Sequence, residues 1–249
     1  MGIIRRFVPR PLWDPAFAAL RCCRRLAWLG RSRYCPVCRS HVRRFIPHGI
    51  DDRPDAKCPV CGAVERLRLL WLFLDKYPEI FAAGGKMLHF APEPDVERRF
   101  RSIKGLAYTS ADLDPARAMV AVDIADIPYP DDTFDCICCV HVLEHVPDDQ
   151  KAMRQLCRVL RKGGSAIIQV PITAPRTFED PSVTDPAERQ RLFGLHDHLR
   201  RYGPDVEERL RNAGFDVKPY RGADLTDARG IKTMALNEEP LFFCKKPAD

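Results

Sequence analysis

The chain has 249 residues, 45% of them hydrophobic and 30% charged, with a formal net charge of +6. That balance is globular, excludes a wholly disordered chain, and leaves room for one large domain plus a small module. No apolar run approaches ~18 residues, so no transmembrane helix is expected; Arg21, Arg24 and Arg25 break the only candidate leader core, and Arg6 stands where a myristoylation signal needs Ser or Thr.

Charge is unevenly spread. Residues 1–50 hold eleven Arg, no Lys and one acid, Asp14, for a net +10, which leaves −4 on the remainder. A basic arm (residues 1–34) on a mildly acidic body suits an anionic partner, RNA or a membrane surface, or equally a solvated face that salt-bridges its own protein. Within the arm, Asp14-Pro15 followed by "AFAALRCCRRLAWL" and Gly30 predicts a helix capped by Asp14 and stopped by Gly30. Ala16, Leu20, Cys23 and Ala27 fall on one side of it, and three Arg mostly on the other. The apolar side would dock on the protein itself or lie on a membrane surface.

Residues 35–64 form a second segment. Cys35-Pro-Val-Cys38 and Cys58-Pro-Val-Cys61 are separated by nineteen residues, and Gly62 follows. Each CxxC turn aims two sulfurs at one point, so two of them close a four-thiolate zinc site with Cys35, Cys38, Cys58 and Cys61 as ligands. Four protein ligands leave no open position, which makes such a Zn²⁺ structural. His41 and His48 lie between the pairs as alternative ligands, and two redox CxxC pairs are the competing reading. The other seven cysteines show no pairing pattern, which fits a reducing, cytoplasmic compartment.

From residue 65 the pattern changes. "AVERLRLLWLFLDKYPEIF" is a helix with Leu67, Leu70 and Leu74 at helical spacing. Strands and helices then alternate: "KMLHF", "PDVERRFRSI", "LAYTSADL", "MVAVDI", "FDCICCVHVL", then "PDDQKAMRQLCRVLR" closed by Gly163-Gly164, and "SAIIQVPI". A polar stretch over 173–203 precedes the helix "PDVEERLRNAG" and two strands near 215–220 and 240–246. The alternation predicts an α/β fold, a mostly parallel sheet with helices on both faces, over residues 65–249.

Ligands of such sheets sit at the carboxyl ends of the strands, near the point where strand order reverses. Asp112 ends the second of these strands, where a carboxylate can accept from both ribose hydroxyls. Asp123 follows the third, where a carboxylate can take an adenine amine. Each acid alone could be a helix cap, but together and in this order they outline a nucleoside site.

The stretch "VDIADIPYPDDTFDCICCVHVLEHVPDDQKAMRQLCRVLRKGGSAIIQVPI" resembles the core of class I S-adenosylmethionine-dependent methyltransferases of the type 11 kind, over about residues 86–172. The resemblance rests on the acid after strand three, Ile127-Pro128-Tyr129, Phe134-Asp135, Leu143-Glu144-His145, Arg158-Val159-Leu160 and Lys162-Gly163-Gly164. It implies a Rossmann-like seven-stranded sheet whose last strand, in "EEPLFFCKK", runs antiparallel, and S-adenosyl-L-methionine as cofactor. It also implies roles: Asp112 on the ribose, Asp123 and the Ile124 amide on the adenine, and His141 at the methionine end.

"KMLHFAPEP" stands where that family keeps an acid followed by GxGxG. His89 takes the acid's place, Ala91 the first glycine's and Glu93 the second's, where Glu93 can pair with the ammonium of the methionine. Methyl transfer needs alignment and, for a protonated acceptor, a base. His145 and, in "FGLHDHLRRYG", His198 are the catalytic candidates, with Asp197 to orient a His and Arg200 to bind an anionic acceptor. Each His can equally brace its own loop. A small molecule, glycan or lipid-linked acceptor is favoured, because the Asn/Asp-Pro-Pro-aromatic motif of base-modifying enzymes is missing after the fourth strand. The alternatives are an RNA methyltransferase, with Phe7, Trp13, Trp28, Tyr34 and Phe45 stacking on bases beside the Arg residues, and a non-catalytic zinc-binding adaptor. The expected location is the cytoplasm, with peripheral membrane attachment as the alternative in which the basic helix lies on a membrane surface.

Overall fold

A computed structural model describes residues 10–49, 52–81 and 85–248, with side chains from Ala19 onward. The described residues divide into two compact units: those up to Leu72 together with Thr226–Asn237, and Phe73–Leu225 together with Glu238 onward. No described helix is long and apolar enough to cross a membrane.

The first unit opens with helix α1 (Arg10–Ala27). Asp14, expected as its cap, falls inside it, and the side chains of Asp14 and Trp13 lie outside the described residues, as does Phe7. Gly30 does not stop the helix either. It sits in strand β1 (Leu29–Cys35), which pairs antiparallel with β2 (Ser40–Val42). A side-chain carbon on Gly30 would come within 2.4 Å of the Arg43 backbone, so close strand approach accounts for the glycine. On the apolar side of α1, Leu20, Cys23 and Ala27 are exposed, and the side chain of Ala16 lies outside the described residues. Arg25 makes contact, donating to Ser40 Oγ at 2.9 Å and to the Cys38 carbonyl at 2.5 Å. Strands β3 (Ile46–His48) and β4 (Arg53–Lys57) form a second hairpin, and helix α2 (Glu65–Lys76) follows.

The sequence boundary at 64/65 differs from this division. Ala235, far along the chain, packs on the core formed by Cys35, Cys38, Val42, Phe45, Cys58 and Val60, and its carbonyl accepts from Arg68 Nη2 at 3.0 Å. Those contacts tie residues 226–237 to the first unit.

The second unit holds a seven-stranded sheet. Its strands begin with β5 (Lys86–Phe90), followed by helix α3 (Pro94–Arg101), β6 (Ala107–Asp112), the short β7 (Val120–Ala121) and β8 (Phe134–Val140). Helix α4 (Asp149–Val159) starts on Asp148, whose carboxylate accepts from the Lys151 amide, and runs straight into β9 (Leu160–Gln169). Gly163 and Gly164 therefore lie in the strand rather than closing the helix. The polar stretch contains a two-stranded pair, β10 (Phe178–Glu179) and β11 (Arg200–Arg201), around helix α5 (Pro186–Phe193). Helix α6 (Val206–Asn212), β12 (Asp216–Tyr220), helices α7 (Gly222–Leu225) and α8 (Ala228–Met234, in the first unit) and β13 (Leu241–Lys245) complete the chain.

Strand order is β12-β13-β9-β8-β5-β6-β7. The strands from β5 to β9 are mutually parallel, and β13 runs antiparallel to both neighbours, as expected. The run "CICCV" of β8 is buried on both faces, the pattern of a central parallel strand, and its three cysteines serve as small apolar residues there. Chain order proceeds outward from β5 to β6 and β7, then jumps back across β5 to β8. The carboxyl ends of β5 and β8 thus flank the topological switch point.

Candidate cofactor and acceptor site

The turn after β5 keeps glycine-like geometry without glycine. Ala91 has φ 47°, and its amide donates to the Ala111 carbonyl at 2.9 Å. Pro94 then starts α3, with Glu93 as the residue before it in extended backbone. Proline favours an extended predecessor and is pre-set for the first helical turn, so "APEP" turns sharply and enters a helix at once.

His89 is enclosed by its neighbours. It is fully buried, its Nδ1 is 2.9 Å from Tyr108 Oη, and its ring meets Phe100 edge-on. Burial pushes its pKa down to about 3, so it is neutral at pH 7. Its Nε2 lies 3.9 Å from Glu93 Oε2, so it reaches the turn.

Asp112 and Asp123 sit where expected, at the end of β6 and just past β7. Asp112 Oδ1 accepts from the Asp114 amide at 3.0 Å, while Oδ2 lies 3.7 Å from the exposed Arg117. Asp123 is exposed, and its Oδ1 accepts from the Ala125 amide at 2.8 Å. Both carboxylates therefore brace their own loops with one oxygen. Ile124 beside Asp123 is buried, an apolar floor to that corner.

His141 follows β8 in the left-handed region, φ 53°, its amide bonded to the Gln169 carbonyl. The next turn, a 3-10 segment Leu143–His145, carries Glu144 and His145. Glu144 is 1% exposed, with Oε1 3.2 Å from His141 Nδ1 but off hydrogen-bond geometry. Burial pushes its carboxyl up, yet His141 outweighs this and leaves it below the ordinary range. His198 packs edge-on against His145, ring centroids 4.8 Å apart. The structure thus brings His141, Glu144, His145 and His198 together.

Residues 87–168 match a protein family described as a methyltransferase domain. That stretch, about a third of the chain, is similar to a methyltransferase domain. A 27-O-demethylrifamycin SV methyltransferase from Amycolatopsis mediterranei is 37% identical over 150 residues, covering 56% of this chain and 54% of that protein. A chloroplastic 2-methyl-6-phytyl-1,4-hydroquinone methyltransferase 1 from rice, Oryza sativa subsp. japonica, is 32% identical and covers 55% and 44% respectively. The chain spans about half the length of these relatives. Among solved structures, the 4+2 cyclase SpnF superposes with a TM-score of 0.52 at 14% identity, over 86% of this chain and 92% of that one. That likeness shows the fold alone.

One further expectation about the polar stretch is corrected. Arg200 does not face an acceptor. It is 2% exposed and donates to the carbonyls of Leu143, Val146 and Pro147 and to Glu179 Oε2 at 2.9 Å. Tyr202 is buried too, donating to Asp149 Oδ2 at 2.7 Å. Arg200 thus holds the turn after β8 and Tyr202 the start of α4, because a buried guanidinium and hydroxyl must satisfy every donor internally. Glu144 and Gln169 join the site from the structure alone; Gln169 is a buried residue at the end of β9 whose Oε1 accepts no hydrogen bond. Glu144 was readable as an acid beside His145; its burial was not. A cleft of about 530 Å³, lined by Tyr77, Phe81, Asp135 and Arg161 among others, opens at the opposite, amino ends of the strands, away from these residues.

In the first unit, Cys35 Sγ lies 3.7 Å from Cys61 Sγ and Cys38 Sγ 3.8 Å from Cys58 Sγ, and all four sulfurs lie within 4.8 Å of one another. A regular zinc tetrathiolate has sulfur–sulfur edges of about 3.8 Å, so the cluster fits the ion. The Cys58 amide donates to Ala63 O and the Gly62 amide to Cys58 O, folding the second knuckle. Arg68, fully buried, donates to the carbonyls of Ala56, Ala63 and Ala235 and stacks over Phe45. A buried cation with only carbonyl partners needs a nearby anion, and four thiolates around Zn²⁺ carry a net −2. Phe45 is therefore occupied in the core and not free to stack on a base. Trp28 likewise carries Arg43 on its face.

Proposed function

We propose that the protein is an S-adenosyl-L-methionine-dependent methyltransferase with a structural zinc centre. One observation carries this: within the stretch similar to a methyltransferase domain, Asp112 and Asp123 follow adjacent strands at the crevice side of the left-handed Ala91 turn. Asp112 Oδ2 holds the ribose hydroxyls once the exposed Arg117 swings aside. Asp123 and the Ile124 amide read the adenine. Ala91 and Glu93 receive the methionine end, Glu93 facing its ammonium and backed by His89, and His141 closes the same end from β8. When bound, the cofactor supplies a methyl carbon already activated as a sulfonium, so the protein's part is alignment and handling of the acceptor. His145 and His198 act on that acceptor.

Cys35, Cys38, Cys58 and Cys61 hold Zn²⁺, which fixes the first unit and performs no chemistry. The acceptor class we favour is a small molecule, glycan or lipid-linked intermediate, and the small-molecule methyltransferases named above support the first of these.

Calorimetric titration with S-adenosylmethionine tests the site: binding is expected, and no heat at millimolar cofactor overturns the reading. Incubating the protein with radiolabelled cofactor and fractionated cell extract then identifies the acceptor, by the fraction that takes up label.

A further inference from the structure

Glu144, His145 and His198 each present a ligand atom within 4.8 Å of the others. The carboxylate is nearly fully buried and neither of its oxygens accepts a hydrogen bond. Both imidazoles are oriented by their other nitrogen. His145 Nδ1 meets Asp197, at 3.2 Å from its carbonyl and 3.5 Å from its carboxylate. His198 Nδ1 lies 3.2 Å from the Phe193 carbonyl. An Nδ1–H donated to a carbonyl or carboxylate fixes the tautomer and leaves Nε2 as the lone-pair nitrogen, the outer arrangement found around metal-bound histidine.

The turn itself is held rigidly. Arg200 clamps Leu143, Val146 and Pro147, and the Leu199 amide donates to the Glu144 carbonyl at 2.9 Å. That bond joins the turn carrying Glu144 and His145 to the segment carrying His198. A buried carboxylate lacking hydrogen bonds is costly unless a cation meets it. His141, off-axis, answers only one of its oxygens.

We propose that Glu144, His145 and His198 bind a first-row divalent cation through one carboxylate and two imidazole Nε2 atoms, and that the cation's open positions hold the oxygen of a hydroxyl acceptor. Two His and one carboxylate are a donor set for Zn²⁺, Mn²⁺, Fe²⁺ or Co²⁺ with room for exogenous oxygen. Ligand atoms around one such ion at about 2.1 Å are at most about 4.2 Å apart, so binding draws the three in by about half an ångström. This deepens the methyltransferase reading and rests on it for its role. The acceptor hydroxyl, made more acidic by the cation, loses its proton to solvent. Its oxygen pair forms the new bond to the methyl carbon, and the carbon–sulfur pair leaves on sulfur as the thioether. Acceptors with two adjacent oxygens, such as a catechol or vicinal diol, suit two open positions.

The test uses the full chain with its cysteine centre loaded with Zn²⁺. Mn²⁺, which thiolate sites disfavour, is titrated while the free-ion signal is followed by electron paramagnetic resonance. One bound Mn²⁺ is expected, with affinity reduced at least about tenfold in His198→Ala, His145→Ala and Glu144→Gln, and retained in His196→Ala. S-adenosylmethionine titration of the same samples runs in parallel, and retained cofactor affinity in His198→Ala shows that the fold survives. No Mn²⁺ bound by the wild type, or equal binding by folded His198→Ala, overturns the site. Loss of cofactor binding by the wild type would instead sink the methyltransferase reading while leaving the metal result to stand by itself.

Discussion

Ala91 and His141 hold the same left-handed backbone, φ 47° and 53°, each one residue past the end of paired parallel strands, β5 and β8. Each amide bonds to the strand on its outer side, Ala91 to Ala111 of β6 and His141 to Gln169 of β9. The two turns therefore lean away from the seam between them, which opens the crevice at the switch point. Such backbone costs a non-glycine residue about 1–2 kcal/mol and persists where the surrounding structure enforces it.

Ala91→Gly relieves that strain. At an ordinary position the change destabilises by about 0.5–1 kcal/mol through unfolded-state entropy. Here the two effects oppose, so the variant is expected to be neutral or up to about 1 kcal/mol more stable. Thermal unfolding beside an Ala→Gly control in α4 checks it; a loss as large as the control's would mean the turn is unstrained.

Asp112→Ala and Asp123→Ala each remove a charged acceptor from the proposed nucleoside site. A hydrogen bond to a charged group contributes about 1.5–3 kcal/mol, so each variant should weaken S-adenosylmethionine by roughly tenfold or more. The measurement is calorimetric, and affinity unchanged in both would move the nucleoside elsewhere.

His89 makes stability depend on pH. Its folded pKa, about 3, lies below the ordinary histidine value because burial disfavours the charge. Below pH ~6.5 the unfolded chain takes up a proton that the folded chain refuses, so stability falls with pH down to the folded value, by at most about 1.4 kcal/mol per unit. His89→Phe should flatten that part of the curve. Denaturant midpoints between pH 7 and pH 4 read it, and parallel curves for the two proteins would show that His89 is charged or exposed.

Arg68→Met removes the buried cation and strands the carbonyls of Ala56, Ala63 and Ala235. A loss of about 3 kcal/mol is expected, with zinc released at a lower denaturant concentration than from the wild type, as followed by a chromogenic chelator. Cys58→Ser should remove one zinc ion per chain, the one at the cysteine centre, and zinc retained at wild-type stoichiometry would remove that centre from the account.

Much of the fold was legible along the chain because its signals are local. The continuous apolar run of β8 marks a strand buried on both faces, the run "PDDQKAMRQLCRVLR" marks α4, and the doubled "CPVC" marks a four-sulfur cluster, each within a short stretch. The seven-stranded sheet and its antiparallel last strand followed from the resemblance. The short helices after β12 and the pair β10–β11 were not legible, since brief polar elements are fixed by what they pack against rather than by periodicity.

The sequence by itself determined which residues stand at the strand ends, Asp112, Asp123, His141 and the glycine-free turn, because strand and turn patterns are written in neighbouring residues. Only the tertiary structure decided what they face. Burial turned His89 inward and spent Arg200 and Tyr202 on carbonyls and Asp149, and it set Glu144 among His141, His145 and His198 across more than fifty residues of chain. Desolvation and hydrogen-bond satisfaction depend on every neighbour in space, and no local pattern in a chain records them.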